Sequence, residues 1–259
     1  MTEPELVVVE DLEALAAEAS ERIATTLADA VVARGRADWA TTGGSTVPAI
    51  YRRLAAPTLR DTVPWPAVHV WWGDDRFVPH NDPLSNVKPL DDMLLATVGA
   101  HDPVPLPSAN RHPFPTDEAI AGSHGADWCA AQLAAKLREA GLDEAEGWPI
   151  FDLVMVGIGR DGHLLSVFPG SAALESKALA LAIPAPTHIE PHVERVTLNP
   201  AILGVARHLL VVASGTAKAA VLAEIFGPDR DPRRWPAQLA RRHGATWIVD
   251  AAAAANLRH

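Results

Sequence analysis

Short apolar runs alternate along the chain with longer segments whose apolar residues recur at helical spacing. The apolar runs predict β-strands at residues 6–9, 38–41, 68–72, 151–156, 208–212 and 246–249. The helical spacing predicts helices at residues 12–33, 47–54, 85–98, 117–140 and 216–226, with a short one after Pro200. Most of the strands are apolar at every position, which is typical of strands whose two faces are both covered.

The alternation of strands with helices indicates the fold class. Such an order requires right-handed crossovers and gives a mostly parallel sheet with helices on both faces. We therefore expect an α/β protein with a three-layer α/β/α, Rossmann-like architecture. No repeat or linker divides the sequence, which predicts a single domain over residues 1–259. Ligands in such folds bind beyond the carboxyl ends of the strands.

Two segments interrupt this pattern. Residues 101–116 are rich in Pro and Asn and predict a surface loop. Residues 183–195 contain Pro184, Pro186 and Pro191 and predict either a hairpin or a lid.

Composition and charge narrow the class of protein. Hydrophobic residues make up 48% of the 259 residues and charged residues 21%, as in globular proteins. The net charge of −10 is spread without a basic cluster, which argues against a nucleic-acid or membrane partner. The N-terminus lacks the features of a signal peptide, no apolar run is long enough to span a bilayer, and Cys129 is the only cysteine. We expect a cytoplasmic protein without an intramolecular disulfide.

A glycine-rich segment directly follows the second predicted strand. Its residues are Thr42, Gly43, Gly44, Ser45 and Thr46, and Pro48 then suits the first turn of a helix. Backbone N–H groups at such a helix start can hold an anion, with the hydroxyl groups as further donors. A tight turn with an ordinary N-cap is the alternative. The segment is not a Walker loop, because the Gly-Lys-Ser/Thr ending is missing.

The third predicted strand ends on two acids and a cation. Arg76 can clamp a phosphate or carboxylate, with Asp74 or Asp75 fixing its direction. A structural ion pair is the alternative. Within the strand, Trp71 and Trp72 are expected in the core.

A further strand leads into a loop in which Gly157, Gly159 and Gly162 match G-x-G-x-x-G. A dinucleotide site is disfavoured, because Pro169 interrupts the helix that should follow and no acidic residue ends a strand about 20 residues further on. His163 in this loop can act as a general base near neutral pH. Asp161 can orient the imidazole, bind a sugar hydroxyl, or only cap the turn.

Two basic residues lie further along the chain. Arg195 and Lys218 are the candidates, and Lys218 falls in the first turn of a predicted helix, where the dipole disfavours a cation unless an anion is bound. The alternative is that its side chain extends into water. A metal site finds no support, since His188 and His192 straddle Pro191 and no H-E-x-x-H or cysteine cluster exists. No G-x-S-x-G indicates a serine nucleophile.

Taken together, these motifs resemble the 6-phosphogluconolactonase family, in order and over nearly the whole chain. They are Thr42 to Thr46, Trp72 to Arg76 with Pro79, Ser85 and Asn86, Gly157 to His163 with Ser166, Phe168, Pro169 and Gly170, Arg195 to Thr197, and Lys218. One departure is Asp75, where the family often has Glu. The resemblance implies the fold shared by glucosamine-6-phosphate deaminases, ribose-5-phosphate isomerases and CoA-transferases.

The resemblance also implies an activity, namely hydrolysis of 6-phospho-D-glucono-1,5-lactone to 6-phospho-D-gluconate in the oxidative pentose phosphate pathway, without metal or organic cofactor. A monomer is the default expectation. The residues implied as catalytic are His163 as general base, Asp161 and Arg76. Those implied in substrate and phosphate binding are Gly43, Gly44, Ser45, Thr46, Asp74, Asn86, Arg195 and Lys218. Backbone N–H groups near Gly43 and Gly44, or the Arg76 side chain, are the candidates for stabilising the oxyanion.

Two other functions are weighed against this one. Glucosamine-6-phosphate deaminases carry a Glu five residues beyond the histidine, a position that Phe168 occupies here. A non-catalytic sugar-phosphate sensor would usually carry a DNA-binding module, and this sequence has no basic helix.

Overall fold

A computed structural model describes residues 3–97 and 102–257. The strands are β1 (Glu5–Val9), β2 (Ala37–Thr41), β3 (Val68–Trp72), β4 (Asp74–Arg76), β5 (Arg111–His112), β6 (Glu144–Ala145), β7 (Trp148–Pro149), β8 (Leu153–Gly157), β9 (Ala180–Ile183), β10 (Arg195–Leu198), β11 (His208–Ala213) and β12 (Ala245–Asp250). The helices are α1 (Leu12–Arg34), α2 (Val47–Leu54), α3 (Pro57–Arg60), α4 (Lys88–Leu90), α5 (Thr116–Ala121), α6 (Ala126–Glu139), α7 (Ile202–Val205), α8 (Ala219–Ile225) and α9 (Ala251–Ala254).

Among the described residues, a 7-stranded sheet in the order β1-β12-β11-β8-β2-β3-β5 forms the centre of the molecule. Its neighbouring strands are all parallel. Helices flank this sheet, so the α/β/α class expected from the sequence is confirmed. Strand order reverses between β8 and β2, because β2 leads to β3 on one side while β8 leads to β11 and β12 on the other. Such a reversal opens a crevice at the carboxyl ends of the strands.

The pairing of β2 with β8 shows how this crevice opens. Only Trp39↔Leu153 and Ala40↔Val154 are paired, whereas β2 and β3 pair along their whole length. The last residues of β2 and β8 therefore separate, and the loops that follow them border a gap.

Helix α1 matches its prediction closely because capping residues define both of its ends. The Asp11 side chain accepts a 2.9 Å hydrogen bond from the N–H of Ala14, and Gly35 ends α1 in the left-handed conformation with φ 74°. Ile23 and Leu27 lie fully buried on one face of α1. The helix predicted at residues 12–33 is thus confirmed to within one residue.

A second, 3-stranded sheet in the order β4-β10-β9 is antiparallel and was not predicted. Its strands are short, and β4 reads as Asp74-Asp75-Arg76 with no apolar residue. The pairing of β9 with β10 makes residues 184–194 the turn region of a hairpin, so the hairpin alternative for residues 183–195 is confirmed. This small sheet brings Arg76 opposite Arg195.

Three predicted helices need correction. The helix predicted at residues 85–98 begins only at Lys88 and continues as a π-helix over Asp91–Leu95, while Val98 lies outside the described residues. The helix predicted at residues 117–140 is divided into α5 and α6, because Gly122 and Gly125 interrupt it. The helix predicted at residues 216–226 starts as a 3₁₀ turn, Thr216–Lys218, before α8.

The loop predicted at residues 101–116 is less irregular than expected. Its residues from 102 onward, His101 lying outside the described part of the chain, include β5 at the sheet edge and a fully buried Phe114. The core prediction for Trp71 and Trp72 is confirmed, since both are fully buried. Within the described residues, no helix combines the length and the hydropathy that a membrane span requires.

Candidate active site

A cavity of about 130 Å³ lies where β2, β8 and β11 end. It is lined by Thr42, Gly43, Gly44, Ser45, Thr46, Val47, Asp74, Arg76, Asn86, Gly157, Ile158, His163, Leu165, Arg195, Val212, Ala213 and Lys218. Every site residue inferred from the sequence lines this cavity except Asp161, which contacts His163. The structure therefore brings together motifs that lie up to about 170 residues apart in the sequence.

The glycine-rich segment after β2 forms one wall. A side chain at Gly43 would meet the Asn86 amide, because a Cβ atom there would lie 1.9 Å from Asn86 Oδ1. Gly44 has φ 103°, which favours glycine. Helix α2 begins after Thr46, whose side chain makes no capping hydrogen bond. The N–H groups of the first turn of α2, with the positive end of its dipole, thus border the cavity.

Two arginines form the opposite wall. Arg76 and Arg195 are directly paired residues of antiparallel strands, an arrangement in which like charges destabilise a sheet. Among the described residues no carboxylate forms a salt bridge with either, and Arg76 Nε is buried without a hydrogen-bond partner. Burial, and then the charge of Arg76, lower the pKa of Arg195. An anion between the two guanidinium groups would relieve this repulsion.

The backbone carbonyl groups around these arginines hold them in place. Arg76 Nη1 donates to the carbonyl of Leu84, and Arg195 donates to the carbonyls of Pro191 and Val193 at 3.0 and 3.2 Å. The expectation that Asp74 or Asp75 would fix the Arg76 side chain is therefore wrong. Carbonyl groups orient a guanidinium without neutralising its charge.

Lys218 adds a third cation. It occupies the last position of the 3₁₀ turn before α8, and its ammonium group donates to the carbonyl of Ile158 at 2.7 Å. Burial, and then the charge of Arg160, lower the pKa of Lys218, while Asp161 opposes them. The side chain is half-buried beside the cavity, so the alternative in which it extends into water is wrong.

His163 is held from behind by a carboxylate. Its Nδ1 lies 2.5 Å from Asp161 Oδ1, and the second oxygen of Asp161 lies 2.7 Å from His188 Nε2. Burial alone would raise the pKa of Asp161, but the hydrogen bond and charge of His163 and the hydrogen bond of His188 hold it well below its usual range. An ionised Asp161 fixes the tautomer in which His163 Nδ1 carries the proton and Nε2 has a free electron pair. That is the form a general base requires.

Gly159 makes this pairing possible. A Cβ atom at Gly159 would lie 2.0 Å from His163 Nδ1 and 2.4 Å from Asp161 Oδ1. The loop is closed by a 2.7 Å hydrogen bond from the N–H of Gly159 to the carbonyl of His163. Only glycine leaves room for the imidazole and the carboxylate to meet.

We expect Gly159→Ala to lower kcat by about 10- to 100-fold, because a misplacement of about 1 Å in a catalytic group has effects of this size. Steady-state turnover kinetics would measure this loss. Gly204→Ala is the matched control, since a Cβ atom at this helical glycine has no neighbour within 4 Å. An unchanged kcat in Gly159→Ala would contradict the steric argument.

Two buried acids organise the wall near Asn86. Asp74 accepts hydrogen bonds from Ser166 Oγ at 2.6 Å and from Asn86 Nδ2 at 3.3 Å. Asp75 accepts from the N–H groups of Asn86 and Arg76, at 2.6 and 2.7 Å, and from the Ser85 hydroxyl at 2.9 Å. These bonds explain why no helix begins at Ser85. They hold the loop so that Asn86 lies against Gly43.

Asp75 should make the stability of the protein pH-dependent. Burial raises its pKa to about 6, against the hydrogen bonds that lower it. A raised folded-state pKa contributes stability that is present below the unfolded-state value, about 3.8, and is lost as the pH rises through about 6. The expected loss is on the order of 2 to 3 kcal/mol.

Asp75→Asn lacks this titration, so the stability of the wild type relative to Asp75→Asn should decline by that amount between pH 4 and pH 7. Urea unfolding of both proteins across this range measures the difference. The other titrating groups are common to both proteins. Parallel stability profiles would contradict the assignment.

Some site features were missed by sequence reasoning. The sequence suggests for His188 only a metal-ligand role, which it disfavours, whereas in the structure His188 contacts Asp161. In the sequence Phe168 marks only the absence of a glutamate, but its ring packs 4.7 Å from His163 and 5.7 Å from His188, measured between ring centroids. Leu165 lines the cavity with a φ of 52°, which is unusual for a branched residue. The sequence carried no signal for any of these contacts.

The fold and this site together define a class of protein. A histidine paired with a carboxylate faces a small cavity that three cations and a helix N-terminus surround. Such a site suits an enzyme that acts on a small anionic substrate. Within the described residues, no cluster of three or more His, Cys, Asp or Glu is placed to hold a metal ion.

Comparison with known proteins identifies the family. The family model of glucosamine-6-phosphate isomerases/6-phosphogluconolactonase matches residues 10–248, and the chain belongs to this family. A 6-phosphogluconolactonase of Mycobacterium tuberculosis is 34% identical over 250 residues, which cover 95% of this chain and 96% of that protein. One from Streptomyces coelicolor is 32% identical and covers 98% of this chain and 95% of its own length.

Solved structures show the same fold. The crystal structure of 6-phosphogluconolactonase from Leishmania guyanensis has a TM-score of 0.83 at 26% identity, covering 99% of each chain. A monomeric glucosamine-6-phosphate deaminase has a TM-score of 0.75 at 16% identity, covering 97% of this chain and 99% of its own, and therefore shares the fold alone.

Proposed function

We propose that the protein hydrolyses 6-phospho-D-glucono-1,5-lactone to 6-phospho-D-gluconate, the lactonase step of the oxidative pentose phosphate pathway. The observation that carries the proposal is the position of the His163–Asp161 pair at the same cavity as the Arg76–Arg195 pair. The first supplies a base, and the second supplies two cations for the negative charges of the phosphate and of the developing oxyanion. The 6-phosphogluconolactonases among the relatives, which match nearly the full chain, support this reading.

In the proposed mechanism, His163 Nε2 takes a proton from water as the water oxygen attacks the lactone carbonyl. The tetrahedral intermediate then collapses, the ring C–O bond breaks, and His163 returns the proton to the departing ring oxygen. Asp161 remains ionised and stabilises the imidazolium that forms between these steps, as its lowered pKa favours. Asp161 does not line the cavity, and its role is therefore to orient His163.

The cations divide between binding and catalysis. We assign the 6-phosphate to Arg195, to Lys218 and to the segment Gly44, Ser45 and Thr46 that leads into α2, all of which line the cavity. Arg76, with a buried and unpartnered Nε among the described residues, is assigned to the developing oxyanion together with the N–H groups near Gly43. Asp74 and Asn86 hold this wall in shape and face the sugar hydroxyl groups.

A coupled assay tests the proposal, with lactone disappearance followed through 6-phosphogluconate dehydrogenase. The protein should accelerate hydrolysis well above the spontaneous rate, and 6-phospholactone should be preferred to unphosphorylated gluconolactone. Binding without acceleration would instead indicate a sensor. Ammonia release from glucosamine 6-phosphate would indicate a deaminase, although Phe168 packs against His163 where that reading needs a carboxylate.

The proposal extends to the domain organisation, the cellular location and the oligomeric state of the protein. We propose that residues 1–259 form a single domain which works as a cytoplasmic monomer. The family model, which spans residues 10–248, supports the single domain. Sedimentation analysis of the purified protein would test the monomer.

A further inference from the structure

The hairpin formed by β9, residues 184–194 and β10 reaches the candidate base through one side chain. His188 donates from Nε2 to Asp161 Oδ2 at 2.7 Å, across 27 residues of sequence. Asp161 is mostly buried, and the donors to its carboxylate among the described residues are His163 and His188. Each oxygen of this carboxylate thus serves one histidine.

The His188 side chain is about half exposed, and its packed side faces the same aromatic ring as His163. Its ring lies edge-on to Phe168 at 5.7 Å, and the same Phe168 ring packs 4.7 Å from His163 and lies 5.9 Å from the Arg195 guanidinium carbon. Arg195 also donates to the carbonyls of Pro191 and Val193 in the hairpin. Phe168 therefore packs against both histidines, and both histidines contact the Asp161 carboxylate.

We infer that His188 is a positioning residue, which fixes Asp161 and through it the orientation and basicity of His163. This inference rests on the proposed lactonase function. An ionised Asp161 accepts from both rings, so His188 must present Nε2–H. Its hydrogen bond draws part of the carboxylate charge away from His163 and holds the carboxylate in the plane where Oδ1 meets Nδ1.

The test uses His188→Ala and His188→Gln in the coupled lactone assay. The alanine variant should lose about tenfold in kcat, the size expected for one hydrogen bond to a charged group, with a KM within about twofold of the wild type. The acid limb of its kcat/KM profile should move to higher pH, because the freed carboxylate favours a protonated His163, which cannot act as a base. His188→Gln keeps an N–H donor at similar reach and should restore most of kcat and the original acid limb.

Two further variants distinguish the positioning of Asp161 by His188 from a general effect on the order of the hairpin. His192→Ala removes a histidine of the same hairpin that contacts the carbonyl of Pro186 and not Asp161, so it should leave kcat and the acid limb unchanged. The double variant His163→Ala/His188→Ala should be no slower than His163→Ala, because residues that act as a unit are not additive. Arg160, Lys218 and Arg195, the other charged groups nearby, are unchanged in every variant.

Four outcomes would contradict the role of His188, and one would contradict the proposed function. An unchanged kcat in His188→Ala, a loss without a shift of the acid limb, or the same changes in His192→Ala would overturn the inference. So would a further loss in the double variant. A wild-type protein that does not accelerate lactone hydrolysis overturns the proposed function itself, which the first assay reveals before any variant is compared.

Discussion

Replacing His163 with alanine should lower kcat by about 10²- to 10⁴-fold, the range typical of a lost general base. The imidazole is held by Asp161 at 2.5 Å and borders the cavity, so its removal deletes the base and leaves the cations in place. KM should change by less than about threefold, because binding is assigned to other residues. Coupled kinetics and the melting temperature of the variant measure both effects.

The space left by the imidazole offers a second test of the same role. Free imidazole added to His163→Ala should restore part of kcat, with a dependence on pH that follows the unprotonated form. His124→Ala is the matched control, since His124 stacks on Trp128 at the surface and does not line the cavity. A kcat for His163→Ala near that of the wild type would exclude His163 as the base.

The sequence predicts the central sheet well, because its strands are apolar on both faces. Every predicted strand is present to within two residues at each end. The small antiparallel sheet is not predictable in this way, because its strands are short and β4 carries only charged residues. Its pairing depends on contacts between residues about 120 positions apart, which no local pattern records.

The site residues are predictable as motifs, but their relations are not. The glycines, His163, Arg76 and Lys218 stand out because each comes shortly after a predicted strand, whereas Arg195 stands out only through the resemblance to the family. That Arg76 faces Arg195 follows from the register of β4 with β10, and that Asp161 serves two histidines follows from the path of the hairpin. The apolar spacing of the residues that follow predicts Ser85 within a helix, whereas its hydroxyl donates to the buried Asp75 and Ser85 lies in a loop.

The second large effect on activity is expected at Arg195, which is paired with Arg76 in the small sheet. Arg195→Met should lower kcat/KM for the phosphorylated lactone by about 100-fold, through loss of a charge-assisted contact with the phosphate. Hydrolysis of unphosphorylated gluconolactone should fall by less than about threefold. Arg160→Met is the matched control, since it removes the same charge from an exposed residue outside the cavity lining and should change neither substrate by more than about threefold.

The thermal stability of Arg195→Met tests the role of Arg195 independently of kinetics. In the ligand-free protein Arg195 lies opposite Arg76 with no carboxylate partner among the described residues, so its removal relieves a repulsion. The melting temperature of ligand-free Arg195→Met should therefore not fall below that of the wild type. The carbonyl groups of Pro191 and Val193, which lose their donor in this variant, lie in a partly exposed hairpin where water can replace it. Stabilisation by added 6-phosphogluconate should be largely lost. A variant that melts lower when free, yet keeps its preference for the phosphorylated lactone, would assign Arg195 to the fold and the phosphate to Lys218 and the first turn of α2.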